Sequence, residues 1–260
     1  VDKKSLLVLS SFNTENKCNG FFSKSLSTKG NPRQLFVDTC FFYLIRGCHD
    51  PNLSNKGINP LKARDSEVWI VQRQSIKDAP NYYLTKNFEL FSKLTNVQPQ
   101  LGFNWVSQEL HTYQHLDGKH GQGILFKPEN FDSTRKYPVI IIFYGAFSNN
   151  YHQFPTPKYN RSVITPGESP IWLLNNGYLV FTPDIYVAPR RYGPAAYNVI
   201  EGAAEYLKQL PFVDSSKLGC GSHSWSAKLG AYIFTHSHSF SAMAISEGYL
   251  YANMINVAFS

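Results

Sequence analysis

The segment from Gly221 to Ala227 holds a serine in a setting that could make it a nucleophile. Its sequence is Gly-Ser-His-Ser-Trp-Ser-Ala, with Ser224 at the centre. A candidate buried strand, residues 218–222, precedes the serine, and a candidate helix, residues 227–235, follows it. A sharp turn between a strand and a helix lifts a serine hydroxyl above the sheet and points the helix N-terminus at it. The sequence therefore predicts a nucleophile elbow with Ser224 at its apex.

The positions that flank this serine depart from the usual motif. The pattern G-x-S-x-G has glycine two residues to either side of the serine, because the strand and the helix approach each other closely there. In this chain the two positions are Ser222 and Ser226. Serine is the next smallest polar residue, so the motif is weakened but not lost. Taken alone, a serine in such a turn is as often structural as catalytic.

A second candidate segment is Tyr144-Gly145-Ala146-Phe147, which follows the apolar run 139–144. In α/β-hydrolases the loop at this place contributes to the oxyanion hole. The alternative is an ordinary tyrosine at a strand end, followed by a glycine in a turn. The two segments together favour the catalytic interpretation more than either does alone.

The elements around these segments predict an α/β arrangement. Residues 105–113 and 123–126 are typical of paired strands around the Asp117-Gly118 turn. Apolar runs predict buried strands at 139–144, 178–182, 218–222 and 242–246. Residues 195–210 have apolar side chains three or four apart, which indicates a helix that ends before Pro211. A helix between successive buried strands favours parallel βαβ units over residues 138–246.

Residues 1–100 have a different pattern. Short β segments separated by turn-forming residues lie at 5–10, 21–26, 34–37, 41–45, 67–72 and 82–84. No helical period is found among them. This part is predicted to be all-β, either as propeller blades or as a sandwich.

Composition and charge exclude several classes of protein. The chain has 260 residues, 43% hydrophobic and 17% charged, which suits one large domain or parts of two and does not fit intrinsic disorder. No apolar run reaches the roughly 18 residues of a membrane helix. The net charge of +7 lies mostly in residues 1–100, where 14 Lys and Arg face 8 Asp and Glu. No basic run exceeds two residues, so nucleic acid is not an expected partner.

Neither the cysteines nor the histidines predict a metal site. The four cysteines show no C-x-x-C spacing, which disfavours a zinc ribbon or a thioredoxin motif. Cys40 and Cys48 could meet across a hairpin, but their spacing does not decide this. His111, His115 and His120 lie along a predicted hairpin, where residues i and i+4 are about 13 Å apart, too far for one ion. We expect no metal and no cofactor.

Four stretches carry a resemblance to a known family. They are KYPVIIIFYG (136–145), LNNGYLVFTPD (174–184), EYLKQLPFVD (205–214) and GSHSW (221–225). In this order and spacing, residues 101–260 resemble the front part of the catalytic domain of the prolyl oligopeptidase and dipeptidyl peptidase family of serine peptidases. Residues 1–100 are similar to the closing blades of the family's propeller. The resemblance implies a parallel-sheet α/β-hydrolase, incomplete at its C-terminus, after part of a β-propeller.

The resemblance also implies roles for individual residues. Ser224 would be the acylated nucleophile, and the backbone N–H of Trp225 and the hydroxyl of Tyr144 would stabilise the oxyanion. The family's acid and histidine follow the strand that here is 242–246, so we expect both beyond Ser260. His223 is not expected to replace them, because neighbouring side chains diverge in a turn and a base must reach the serine. The chain is thus expected to be a fragment that is inactive alone.

Three functions remain open. The first is a serine exopeptidase or oligopeptidase with a peptide substrate. The second is an esterase or acyl hydrolase on the same fold, and the third is a non-catalytic propeller–hydrolase that serves as a binding scaffold. The resemblance favours a periplasmic or secreted setting and leaves a homodimer of the full-length protein open. Tyr249 and Tyr251 are candidate pocket walls, and the proline-rich loop 148–170 either lines the substrate cleft or covers the propeller junction.

Overall fold

The structure is a computed structural model that describes residues 6–42, 60–156, 169–186 and 191–248. These residues divide into two compact units. The first contains the described residues up to Phe103 together with Asn149–Phe154. The second contains Asn104–Ser148 and the described residues from Pro155 onward.

Two antiparallel sheets make up the regular structure of the first unit. One has three strands in the order β1-β2-β3, and the other has four in the order β4-β5-β6-β7. Their bounds are β1 Leu6–Phe12, β2 Asn19–Ser25, β3 Arg33–Asp38, β4 Leu61–Lys62, β5 Trp69–Arg73, β6 Asn81–Thr85 and β7 Ser92–Lys93. Aromatic rings fill the interior, with Phe21 in contact with both Phe42 and Phe88. The described residues up to Phe103 are thus all-β, as the sequence predicts.

The first unit also shows where the sequence pattern was insufficient. Strands β4 and β7 were not predicted, because two residues are too few to show an alternating pattern. The strand predicted at 41–45 is seen only as an isolated bridge between Phe41 and Gln74. Residues 43–45 of that prediction, like Cys48, lie outside the described residues.

The second unit contains one mixed sheet of six strands with helices in the connections. Its order is β13-β12-β10-β11-β9-β8, and neighbours among β10 to β13 are parallel, whereas β9 is antiparallel to both of its neighbours. The bounds are β8 Val106–Gln114, β9 His120–Pro128, β10 Tyr137–Ile142, β11 Leu179–Pro183, β12 Val213–His223 and β13 Ala242–Ser246. The helices are α1 Ile171–Asn175, α2 Tyr192–Lys208 and α3 Ala227–His236. The predicted parallel βαβ arrangement is observed.

The core of this unit lies between the sheet and the helices. Val139 and Ile141 on β10 are fully buried, and so are Ala196 and Ala203 on the predicted apolar face of α2. Tyr206 on the same face is partly buried. Burial of large apolar side chains, each worth about 1.5–3 kcal/mol, stabilises this packing. At Gly202 an added Cβ would stand 2.5 Å from the carbonyl oxygen of Gln114, so glycine lets α2 approach β8 closely.

The differences from the sequence prediction include two strand bounds and one helix that was not predicted. β10 ends at Ile142, so Tyr144 lies in the following bend rather than in the strand. β12 begins at Val213, five residues earlier than predicted, and its pairing with β10 shifts register between Tyr137 and Val139. Helix α1 was not predicted, because five residues cannot establish a helical period.

Among the described residues, no helix is long and apolar enough to cross a membrane.

Candidate active site

The chain makes a sharp strand–turn–helix connection at Ser224. β12 ends at His223, Ser224–Ser226 form a short 3-10 turn, and α3 begins at Ala227. Ser224 has φ of +52°, in the left-handed region that costs a non-glycine residue about 1–2 kcal/mol. Strained backbone of this kind is concentrated at active sites, where the surrounding structure holds it in place. Ser224, which the sequence places at the apex, is one of four non-glycine residues with positive φ in the described part of the chain; the others are Lys17, Phe88 and Glu247.

The strand and the helix converge at Ser222. Its side chain is buried, and a Cβ added to Gly230 on α3 would stand 2.0 Å from the Ser222 hydroxyl oxygen. Serine fits this position because residue 230 has no side chain. Gly230 was not among the predicted site residues, although a glycine inside an otherwise favourable helix was the available signal.

Ser226, the other flanking serine, closes the turn with hydrogen bonds. Its hydroxyl accepts from the backbone N–H of His223 at 3.0 Å and donates to the carbonyl oxygen of His223 at 2.9 Å. Ser226 is fully buried. By contrast, the Ser222 hydroxyl has no hydrogen-bond partner among the described residues. Both serines are small enough for the elbow, but only Ser226 adds bonds to it.

The rings of Tyr144 and Trp225 are in contact. Their centroids are 5.9 Å apart and their planes meet at 68°. Tyr144 follows β10 by two residues, and Trp225 immediately follows Ser224. The neighbouring strands β10 and β12 are parallel, so both segments leave the same edge of the sheet, where ligands of open α/β sheets bind. The structure thus brings together the two segments that the sequence analysis singled out.

Lys228 is a further residue beside the elbow that sequence reasoning missed. Its ammonium nitrogen lies 5.6 Å from the centroid of the Trp225 ring and 4.9 Å from that of Tyr192. Burial lowers the pKa of Lys228. A cation at this distance over an aromatic face is favourable, so Lys228 stabilises the position of the Trp225 side chain.

The end of β13 and the residues that follow it pack against the elbow. His223 Nδ1 lies 2.9 Å from the Ser246 hydroxyl, and His223 Nε2 lies 3.6 Å from a carboxylate oxygen of Glu247. A Cβ on Gly248 would stand 2.1 Å from that of Ala227. These contacts engage both ring nitrogens of His223. Within the described part of the chain, no hydrogen bond joins the Ser224 hydroxyl to another residue.

The remaining candidate residues lie elsewhere or outside the described ranges. His111 bonds to Tyr206 at 2.6 Å and to Glu109 at 3.1 Å, which ties β8 to α2. The described residues contain no group of three or more His, Cys, Asp or Glu that could hold a metal ion. Cys18, Cys40 and Cys220 are free thiols. Tyr249, Tyr251 and residues 157–168 of the proline-rich loop lie outside the description.

The chain is similar in sequence to curated dipeptidyl peptidases. None of the protein-family models matches the chain. Dipeptidyl-peptidase 5 of Schizosaccharomyces pombe is 26% identical over 161 residues, which cover 60% of this chain and 23% of that protein. Dipeptidyl-peptidase 5 of Porphyromonas endodontalis is 27% identical over 105 residues, 36% of this chain and 14% of that protein.

Solved structures agree in fold. A crystal structure from Bacteroides ovatus, described as a dipeptidyl aminopeptidase IV, superimposes with a TM-score of 0.65 at 21% identity over 93% of this chain and 33% of the other. Dipeptidyl peptidase 4 of Porphyromonas gingivalis gives a TM-score of 0.59 at 15% identity over 94% and 33%. The resemblance to the prolyl oligopeptidase and dipeptidyl peptidase family is confirmed. The chain spans less than a quarter of the length of these curated relatives and about a third of these structures.

Proposed function

We propose that this chain is part of a serine peptidase of the prolyl oligopeptidase and dipeptidyl peptidase type. The single observation that carries the proposal is the contact between Tyr144 and Trp225 beside the strained turn at Ser224. In this proposal residues 101–260 are the front part of an α/β-hydrolase domain, and residues 1–100 are the closing blades of a β-propeller. The dipeptidyl-peptidase names of the sequence relatives support it.

In the proposed reaction the Ser224 oxygen attacks the carbonyl carbon of a peptide bond. Its proton passes to a histidine that we place outside this chain, and the carbonyl oxygen becomes an oxyanion. Return of the proton to the leaving amine breaks the C–N bond and leaves an acyl ester on Ser224. Water then attacks the ester with the same base, which releases the acid and restores the serine.

Two donors would stabilise the oxyanion. They are the backbone N–H of Trp225, in the middle of the turn that leads into α3, and the hydroxyl of Tyr144. A donor fixed before the reaction stabilises the developing charge without reorganisation, and loss of one such donor typically lowers kcat about 10²–10³-fold. The packing of the Tyr144 and Trp225 rings supports this role, because each restricts the movement of the other.

An esterase or acyl hydrolase would use the same nucleophile and the same oxyanion donors. A non-catalytic binding scaffold would need neither. The fit of Ser222 against Gly230 weakens the scaffold alternative, since the flanking serines that depart from the motif are accommodated in the turn. A homodimer of the full-length protein stays a prediction.

The proposal is tested on the complete protein that contains this chain. Aminoacyl-proline anilides and nitrophenyl esters are offered to the unmodified protein, to Ser224→Ala and to Ser133→Ala, whose serine lies exposed in a turn. We expect turnover of the anilides, its loss in Ser224→Ala and no change in Ser133→Ala. Turnover of the esters alone would favour the esterase, and turnover that survives in Ser224→Ala would refute the nucleophile.

A further inference from the structure

A buried carboxylate is bound to the loop that carries Tyr144. Asp184 directly follows β11 and is 2% exposed. One of its oxygens accepts the backbone N–H of Ser148 at 2.8 Å, and the other accepts the Ser148 hydroxyl at 2.5 Å. Ser148 is itself fully buried. The proposed reaction does not use this carboxylate.

A second bond joins the same two segments. The backbone N–H of Ile185, the next residue, donates to the carbonyl oxygen of Gly145 at 3.2 Å. The end of β11 is therefore bonded to the loop at Gly145, directly after Tyr144, and again at Ser148. The backbone N–H of Asp184 donates to the carbonyl oxygen of Gln122 at 2.8 Å, which fixes Asp184 relative to β9.

The conformation of the loop that carries Gly145 and Ser148 depends on its bonds to the Asp184 carboxylate. Burial of an ionised group is unfavourable unless hydrogen bonds satisfy it, and bonds to a charged acceptor are about twice as strong as neutral ones. Ser148 satisfies one bond on each oxygen of Asp184. A different loop conformation would break both bonds and leave a buried charge with fewer donors, so the observed conformation is strongly preferred.

We propose that Asp184 and Ser148 are positioning residues, which hold the Tyr144 hydroxyl where the oxyanion forms. This inference rests on the proposed function. An oxyanion donor is effective only when it is held in place before charge develops. A misplacement of about 1 Å can cost about a hundredfold in rate. Asp184 touches neither substrate nor nucleophile in this account and acts through Tyr144.

The test compares the same substitutions in two backgrounds of the complete protein. Asp184→Asn and Ser148→Ala are each made in the unmodified protein and in Tyr144→Phe, and kcat and KM are measured. Asp132→Asn is the matched control, because Asp132 also accepts the N–H and the hydroxyl of one residue, Thr134, at 2.9 and 2.6 Å. Asp132 lies before the start of β10, whereas Tyr144 follows its other end.

A positioning role predicts effects that are not additive. Asp184→Asn should lower kcat about tenfold or more with KM within about twofold, and Ser148→Ala should act in the same direction but less strongly. In the Tyr144→Phe background both should change kcat by less than about twofold, because the hydroxyl that they position is gone. Asp132→Asn should have no effect in either background.

Other results would overturn the inference. A loss of kcat that is equally large in both backgrounds would show that Asp184 does not act through Tyr144, and an unchanged kcat would remove the role altogether. If Asp184→Asn does not fold, the same comparison with Ser148→Ala decides. Failure of the proposed function is recognised separately, because Ser224→Ala would then keep full turnover or the unmodified protein would turn over neither anilides nor esters. Either result would overturn both proposals.

Discussion

The rings of Tyr144 and Trp225 pack in a T-shaped arrangement, with their centroids 5.9 Å apart and their planes at 68°. Tyr144 lies just beyond β10 and Trp225 lies in the middle of the turn after β12, so the contact joins the ends of two neighbouring parallel strands. A tyrosine hydroxyl and a backbone N–H near one serine are the parts that an oxyanion hole requires.

Tyr144→Phe should lower kcat in the complete protein about a hundredfold, because it deletes one oxyanion donor and keeps the ring. The contact with Trp225 does not need the hydroxyl, so the melting temperature should change little. Steady-state kinetics and a thermal melt of the same preparation provide the two measurements. A lower melting temperature with an unchanged kcat would assign Tyr144 a structural role instead.

Leucine at Ser222 or Ser226 should destabilise the chain by about 1–3 kcal/mol. Both side chains are buried where strand and helix converge, and Ser222 already touches the backbone position of Gly230. Ser133→Leu, in an exposed turn, is the control and should stay within about 0.5 kcal/mol. Denaturant unfolding of all three variants measures the difference. If the unfolding curves of Ser222→Leu and Ser226→Leu overlie that of the unmodified chain, the turn is not an elbow.

Alanine should destabilise the protein at Ser226 but not at Ser222. Ser226→Ala removes two hydrogen bonds to His223 and should cost about 1–2 kcal/mol. Ser222→Ala removes a buried hydroxyl that has no partner among the described residues, and should leave stability unchanged or raise it by up to about 1 kcal/mol. The comparison needs only denaturant midpoints. Equal losses in both variants would show that the Ser222 hydroxyl is bonded.

Acid should weaken the first unit through His152. Burial lowers the pKa of this histidine, and its hydrogen bond to the carbonyl oxygen of Asn16, at 3.3 Å, only partly opposes the shift. The unfolded chain takes up a proton near pH 6.5, whereas the folded chain stays neutral until lower pH. Stability from the neutral ring is therefore complete above about pH 6.5 and is lost as the pH falls through the lowered value.

Unfolding midpoints at pH 7.5 and 5.5 test this dependence. His152→Gln should reduce the difference between the two midpoints. Part of the difference should persist, because burial lowers the pKa of His115 as well. An unchanged difference in His152→Gln would mean that His152 titrates alike in both states.

The sequence was sufficient for the parts of this site that depend on pattern. The apolar runs and the helical period predicted β10 to β13 and α2, and the strand–turn–helix context placed Ser224 at the apex. Two features depend on tertiary contacts that no local pattern contains. Gly230 accommodates Ser222 across a strand–helix interface, and Asp184, just after β11, accepts hydrogen bonds from Ser148 in the loop after β10. Helix α1 was missed for a third reason, since five residues are too short for a period.

The most direct test of the central claim is labelling of Ser224 by an organophosphonate in the complete protein. A nucleophile in a working oxyanion hole is phosphonylated, whereas an ordinary serine is inert at neutral pH. Mass spectrometry of the proteolytic peptide that contains Ser224 should show one adduct, absent from Ser224→Ala and still present in Ser133→Ala. A folded protein whose Ser224 peptide stays unmodified under conditions that label a known serine peptidase would contradict the account.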